Sequence, residues 1–180
     1  LTARVLLHVY PSFAVGGAQA RFAAIANHFG RRWHHAIVAM DGNLACRERL
    51  DPGLDLSFPQ IDLPKGDMLA NLRRIRGVLR EMRPHRLVTG NWGSIEWAMA
   101  NAVRPLVAHV HVEDGFGPEE RQRQIPRRVL TRRLVLRRCL TVLPSRTLLK
   151  IATDIWRLPQ ANLRYVPNGV DLACFTPATL

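Results

Sequence analysis

Short apolar runs alternate along the chain with longer stretches in which apolar positions recur at helical spacing. Arg4 to Val9 is rich in valine and leucine and stops at Tyr10-Pro11-Ser12, which predicts a buried strand ending at the proline. Phe13 to Gly17 is a loop closed by a glycine pair. Ala18 to Phe29 is alanine-rich, with Phe22, Ile25, Ala26 and Phe29 on one helical face, and Gly30 sits where a helix-ending glycine belongs. His35 to Met40 predicts a second strand ended by Asp41-Gly42, and Phe58 to Leu63 a weaker third. Asp67 is placed to cap a helix whose stripe is Leu72, Ile75, Leu79 and Met82, with Pro84 just beyond. The pattern continues with a strand at His85–Thr89, a helix at Ser94–Val103, a strand at Leu106–Val112 and a helix at Arg121–Leu136. It ends with a strand at Leu140–Leu143, a helix at Thr147–Arg157 and a strand at Leu163–Val166.

Strands apolar on both faces, alternating with helices, predict a parallel sheet covered on both sides. With right-handed crossovers this is an α/β fold, a doubly wound parallel sheet of Rossmann-like, three-layer αβα type, over residues 1–166. At 180 residues, with 47% hydrophobic and 22% charged positions, the chain holds one sizeable core and is too apolar for disorder.

Charge adds to that picture. The formal net charge is +12, and Lys65 and Lys150 are the only lysines among 26 basic residues, leaving 24 arginines. Such an excess draws a domain toward anionic surfaces: phospholipid headgroups, nucleotides or nucleic acid. The helix stripe from Leu72 to Met82 predicts that Arg73, Arg76, Arg80 and Arg83 face outward. The pairs Arg127-Arg128, Arg132-Arg133 and Arg137-Arg138 recur every five residues, a rotation of roughly 140° per step, so they wind around a helix and form no single stripe. Without base-stacking aromatics between them, they argue against nucleic acid as a partner. Cys46, Cys139 and Cys174 are sparse and lack C-x-x-C spacing, which speaks against disulfides and zinc and for a cytoplasmic setting. His8, Tyr10 and Pro11 interrupt the first apolar run, so a signal peptide is not expected, and no stretch is apolar enough to span a bilayer.

In an open parallel sheet, ligands bind outside the carboxyl ends of the strands. After the first strand stand Gly16, Gly17 and Gln19, where bare amides at a helix amino terminus suit a phosphate or sugar. Neither G-x-G-x-x-G nor G-x-x-x-x-G-K-S/T occurs, which weakens a dehydrogenase or an NTPase. After the fourth strand stand Asn91 and Trp92 between glycines, an amide and an aromatic face of the kind that bind hydroxyls. Ser94 there is also a helix cap. The fifth strand carries the densest cluster, His109 to Gly117. Strand alternation puts His109, His111 and Glu113 on one face, with Asp114 and Gly115 following. No partner ligands stand at zinc spacing, so no metal is expected, and the cluster reads instead as an acid/base site.

The last predicted strand runs into Tyr165-Val166-Pro167-Asn168-Gly169-Val170-Asp171-Leu172, with Phe175 close behind. This segment resembles the interdomain junction of the retaining glycosyltransferases of family four, also called group-one glycosyl transferases, of GT-B architecture. Gly16-Gly17-Ala18-Gln19, His111-Val112-Glu113-Asp114-Gly115 and Leu143-Pro144-Ser145 are similar to further segments of that family, in the same order along the chain. The resemblance implies that residues 1–166 are the acceptor-side domain and 167–180 the junction to a donor-binding domain. It implies that Gly16 and Gly17 approach a diphosphate or acceptor through backbone amides. His111 would contact the transferring sugar or support the reacting oxygens, with Glu113 and Asp114 beside it. Asn168 and Gly169 would form a hinge. Beside these implied roles, Gln19, Asn91, Trp92, Gly115 and Ser145 are expected to contact substrate from their places at the strand ends. The family's paired glutamates, E-x₇-E, do not occur in these residues, so the donor site is expected in the second domain.

The implied activity is transfer of a hexosyl-type sugar from a nucleotide sugar to a glycan or lipid-linked acceptor, with retention, in cell-surface polysaccharide biosynthesis. The nucleotide sugar is a substrate, and no cofactor is expected. These residues alone are expected to be inactive. Peripheral attachment to an anionic inner membrane face is a further expectation. Two rivals are a non-catalytic basic Rossmann-like module for nucleotide or nucleic acid, and a sugar-nucleotide epimerase of the same two-domain plan.

Overall fold

The structure, a computed structural model, describes residues 4–64 and 66–169. Seven strands form one sheet: β1 (Arg4–Tyr10), β2 (Trp33–Ala39), β3 (Asp55–Ser57), β4 (Arg86–Gly90), β5 (His109–Val112), β6 (Leu140–Leu143) and β7 (Leu163–Tyr165). Every pairing is parallel, and the order is β3-β2-β1-β4-β5-β6-β7. The direction of winding reverses between β1 and β4, which opens a crevice at their carboxyl ends. The Rossmann-like α/β class read from the pattern is the fold observed.

Five helices connect the strands: α1 (Gly17–Phe29), α2 (Met68–Met82), α3 (Ile95–Ala102), α4 (Pro126–Val135) and α5 (Arg146–Asp154). Their distribution is uneven. Leu7, Val9, Ala36, Val38 and Leu87 pack one face of the sheet against Ile75 and Leu79 of α2 and Trp97 and Ala100 of α3. On the same face, Leu143 meets Leu148 and Ala152 of α5 with Leu136 and Trp156. The opposite face has α1, whose Phe22, Ala23 and Ala26 cover Ile37 beside Phe13, Cys46, Leu50 and Leu54. Beyond α1 on that face, Val88, Val110, Val112 and Val142 are only half-buried.

Local chemistry sets the element ends. The Asp67 carboxylate accepts from the Ala70 amide at 2.9 Å and caps α2, as its position predicts. Arg83, at φ 44°, closes α2 in a left-handed turn before Pro84. The predicted α2 arginines do not all face outward, since Arg76 Nη1 donates to the carbonyls of Ala100 and Arg104 and ties down the end of α3.

Several boundaries differ from the pattern. The third strand is Asp55–Ser57, upstream of the apolar run expected to form it. Pro59 removes an amide from that run, and Phe58, Ile61 and Leu63 pack against the cores as irregular chain. The strand expected from Leu106 begins at His109, because Asn101 binds the backbone of Leu106 and Val107 first. The helix expected from Arg121 begins at Pro126, whose ring suits the first helical turn. Gly30 does not end α1 in a left-handed conformation, since its φ is −76°. A side chain there would lie 2.8 Å from His35 Nε2 and 3.2 Å from Leu54 Cδ2. Close packing, not backbone freedom, requires the glycine.

Candidate ligand-binding cleft

Three cavities lie along the carboxyl edge of the sheet, and Asp114 lines all of them. One of about 330 Å³ lies between α1 and the ends of β1 and β4, walled by His8, Tyr10, Ser12, Gln19, Phe22 and Asn91 among others. A second, about 950 Å³ and more open, runs from Gly17 and Arg21 past Val112 and Val142 to Asn168 and Gly169. The third, about 510 Å³, is bounded by Pro11, Trp92, Gly115, Phe116 and Arg132.

Asp114 follows directly from β5, and its backbone amide donates to Asn91 Oδ1 at 2.7 Å. Asn91 itself holds a positive φ of 53° with ψ −173°, a backbone conformation uncommon outside glycine. The Asp114 carboxylate pairs with Arg21 of α1, at 2.6 Å and 3.0 Å from the two guanidinium nitrogens. Arg21 also donates to Asn168 Oδ1 at 2.5 Å, so one guanidinium joins α1, the loop after β5 and the segment after β7. Gly115 has a φ of 147°, where a side chain would be strained.

The amino terminus of α1 faces this edge. Gly16 caps it without a side-chain hydrogen bond, and its first turn holds no acidic residue. A side chain at Gly17 would meet nothing within 4 Å, whereas one at Gly16 would lie 2.8 Å from Gln19 Oε1. Gln19 Nε2 donates to the Ser12 carbonyl at 2.8 Å and fixes the loop after β1. Gly93 is set by contact, since a Cβ there would lie 2.3 Å from Pro11 Cγ.

His111 and Glu113 share a face, as alternation predicts, but it is the closed face beneath α4. Both are fully buried. His111 Nδ1 lies 2.8 Å from Thr89 Oγ1, and His109 Nε2 lies 2.7 Å from the same hydroxyl. His111 Nε2 lies 3.5 Å from Glu113 Oε2, and Arg132 Nε donates to that oxygen at 3.2 Å. Arg132 is itself buried and donates twice to Glu120, at 3.0 and 3.1 Å. Its guanidinium lies 5.1–5.3 Å from the ring centroids of Trp92, Phe116 and Trp156. Burial works against ionised Glu120, yet hydrogen bonds from Arg132 and Arg128 hold its carboxyl below the ordinary value. Burial, with His111 as a neighbour, lowers His109 to about 3.

The remaining residues fall as follows. Trp92 lies against the guanidinium groups of Arg128 and Arg132 and borders the third cavity. Ser145 caps α5, accepting from the Leu148 amide at 3.1 Å. Asn168 and Gly169 border the second cavity, and Val170, Asp171, Leu172 and Phe175 of the junction motif lie outside the described residues. Arg21, Arg132 and Glu120 were not singled out by sequence. Their only signal was a position among many arginines and a Glu-Glu pair. Among the described residues no cluster of metal-ligating side chains occurs, and no helix is long and apolar enough to cross a membrane.

The sequence pattern of Glycosyltransferase Family 4 matches residues 15–173. A search of curated protein sequences gives no match. Among solved structures, a glycosyltransferase from Rickettsia africae superposes with a TM-score of 0.70 at 13% identity, over 100% of this chain and 47% of that one. Alr3699/HepE of Anabaena, solved in complex with UDP and glucose, gives 0.67 at 14% identity, over 96% and 47%. A UDP-N-acetylglucosamine 2-epimerase from Rickettsia bellii gives 0.56 at 14% identity, over 89% and 43%. The chain thus spans about half the length of these structures, and at such identities the likeness is one of fold.

Proposed function

Because the chain belongs to glycosyltransferase family 4, we propose that it forms the acceptor-side half of an enzyme that transfers a sugar from a nucleotide sugar to a glycan or lipid-linked acceptor, with retention. The observation that supports this most is the convergence of three cavities on Asp114, beside the amino terminus of α1. A cleft with few placed polar groups on mostly apolar walls is the usual form of a small-molecule site. In this reading Gly16 and Gly17 present amides to phosphate or to sugar oxygens, and the Asp114 carboxylate contacts the substrate. His111 and Glu113 act from beneath by holding the Asp114–Gly115 turn, together with Asn91 and Trp92. Gln19 and Ser145 fix the loops that border the cleft, and Asn168 with Gly169 is the hinge toward a donor-binding domain.

The transferred group is hexosyl-type, the product a cell-surface polysaccharide or glycolipid, and the setting cytoplasmic with peripheral membrane attachment. Residues 1–180 alone are expected to be inactive, because the donor's principal ligands lie elsewhere. The test is full-length protein incubated with UDP-glucose, UDP-N-acetylglucosamine or GDP-mannose and a panel of glycan and lipid-linked acceptors. Acceptor-dependent release of nucleoside diphosphate, with an axial-to-axial or equatorial-to-equatorial product by NMR, is the expected result. Inversion removes retention. Conversion of the nucleotide sugar with no acceptor present replaces the reading with an epimerase.

A further inference from the structure

A residue lining the cavity between α1 and β1 carries a buried hydrogen-bonding atom that the fold leaves unused. His8, on β1, lines this cavity and is 6% exposed. Its Nε2 lies 3.2 Å from His35 Nδ1, and His35 Nε2 lies 3.2 Å from the Gly30 carbonyl. The tautomers follow from these partners. A carbonyl only accepts, so His35 Nε2 carries its proton and donates it to Gly30. Burial lowers the affinity of His35 for a second proton, so its Nδ1 keeps a lone pair. His8 Nε2 must then carry the proton shared with His35. Burial, with the neighbouring His35, holds His8 at about 3, so it too is neutral near pH 7. The remaining atom, His8 Nδ1, is a bare lone pair, buried and without a partner among the described residues.

A buried acceptor without a donor costs about 1–3 kcal/mol. The cavity lining is mostly apolar, Phe22, Ile25, Val88 and Val112 among it, with Tyr10, Ser12, Gln19 and Asn91 as polar members. The charged pair Arg21–Asp114 stands among the lining residues of the same cavity. Resting on the transferase reading above, we propose that this cavity of about 330 Å³ is an acceptor subsite in which His8 Nδ1 accepts a hydrogen bond from an O–H on an otherwise apolar part of the acceptor. An apolar cavity of about half this volume already binds one benzene ring, so a ring bearing one hydroxyl fits. The carbonyl–His35–His8 chain fixes the polarity of the anchor. It rewards a donor and rejects an ether or carbonyl of the same shape.

The experiment uses full-length protein labelled with ¹⁵N-histidine and two probes, phenol and anisole, which differ in the single donor hydrogen. The expected result is a His8 ring protonated at Nε2 and bare at Nδ1 from pH 5 to pH 8. Phenol should shift the Nδ1 resonance and bind at least about fivefold more tightly than anisole, as one hydrogen bond to a buried acceptor allows. In His8→Leu the preference should vanish. Gly30→Ala, which drives a methyl against His35 and leaves the cavity wall intact, should erode the preference by freeing the tautomer. If the buried variants do not fold, the wild-type tautomer and probe pair still decide. Protonation at Nδ1, equal affinity for the two probes, or binding of neither overturns the proposal. Sugar transfer is read separately. Phenol selectivity without transfer from any nucleotide sugar retains the anchor and removes the transferase, and transfer with no discrimination against anisole does the reverse.

Discussion

The two faces of β5 meet opposite surroundings. Under α4, His111 and Glu113 are sealed by Arg132, Glu120 and three aromatic rings and have no exposed surface of their own, although Trp92, Phe116 and Arg132 border the third cavity. On the other face, Val110 and Val112 are half-buried, Val112 borders two cavities, and charge is confined to the Arg21–Asp114 pair at their shared edge. His111 and Glu113, the centre of the densest polar cluster, are thus closed off, and the two cavities on the other face hold few charged groups. The lesson is that a strand's polar face locates a stiff support as readily as a site. The last polar residue before the turn, here Asp114, is the one that reaches the cleft.

Arg132→Leu separates the faces most strongly. It leaves Glu113 buried without a cation and Glu120 with Arg128 alone, so stability should fall by about 3–5 kcal/mol, measured by urea denaturation. A loss under about 1 kcal/mol would mean that the closed face is not held by this guanidinium. Asp114→Asn is the complementary change. In the full-length enzyme it should lower kcat about 10²-fold or more, as expected for one positioned polar group. Its partly exposed pairing with Arg21 should cost no more than about 1 kcal/mol of stability. A variant that unfolds, or one with unchanged turnover, would erase the distinction between the faces.

Acid probes both faces at once. His8 on the open face and His109 on the closed one are each lowered from 6.5 to about 3, chiefly by burial. A histidine with a depressed folded value stays neutral in the native state while the unfolded chain takes up its proton. The stability is therefore intact above pH 6.5 and is lost as pH falls from there toward 3. Each contributes a slope of up to about 1.4 kcal/mol per pH unit. Urea midpoints at pH 7.5 and pH 5 should move less in His8→Leu and in His109→Leu than in wild type. Equal movement would show that these rings are solvated.

The smallest expected effect concerns the outside of α4. Arg132 points in, while Arg127, Arg133, Arg137 and Arg138 are exposed beside Leu130 and Leu134, on and just after the helix. Basic residues near an anionic leaflet contribute about 1 kcal/mol each, screened over about 8 Å in physiological salt. Co-sedimentation with anionic but not neutral vesicles, reversed by salt, is expected. Equal binding to both, or to neither, removes the membrane from the account.

The sequence exposed the sheet well where Val, Leu and Ile run together, as in β1, β2 and β6, and poorly at the edge. β3 is three residues that pair with β2, a length too short for period-two alternation to register. Alternation also placed His109, His111 and Glu113 correctly on one face. What covers that face is Arg132, 19 residues beyond Glu113 on another element, and no local pattern records it. The arginine pairs hid this further. Arg132 and Arg133 are neighbours in sequence, yet helical rotation buries the first and exposes the second. His8 looked like an interruption in an apolar run; its partner His35 is on the neighbouring strand, and only the parallel register brings the two rings together.

The strand order also sets a schedule for synthesis. β1 is an interior strand of the sheet, but β4, which pairs with one of its edges, begins about 75 residues after β1 ends. At translation rates of about 5–20 residues per second, that edge waits roughly 4–15 s for its partner, while β2 is already available on the other side. During this interval a nascent β1–β2 pair presents an open edge whose Leu7 and Val9 are destined for full burial. The interior position that gives β1 two neighbours in the finished sheet therefore leaves one of its edges open to mispairing on the ribosome for longer than any other interior pairing.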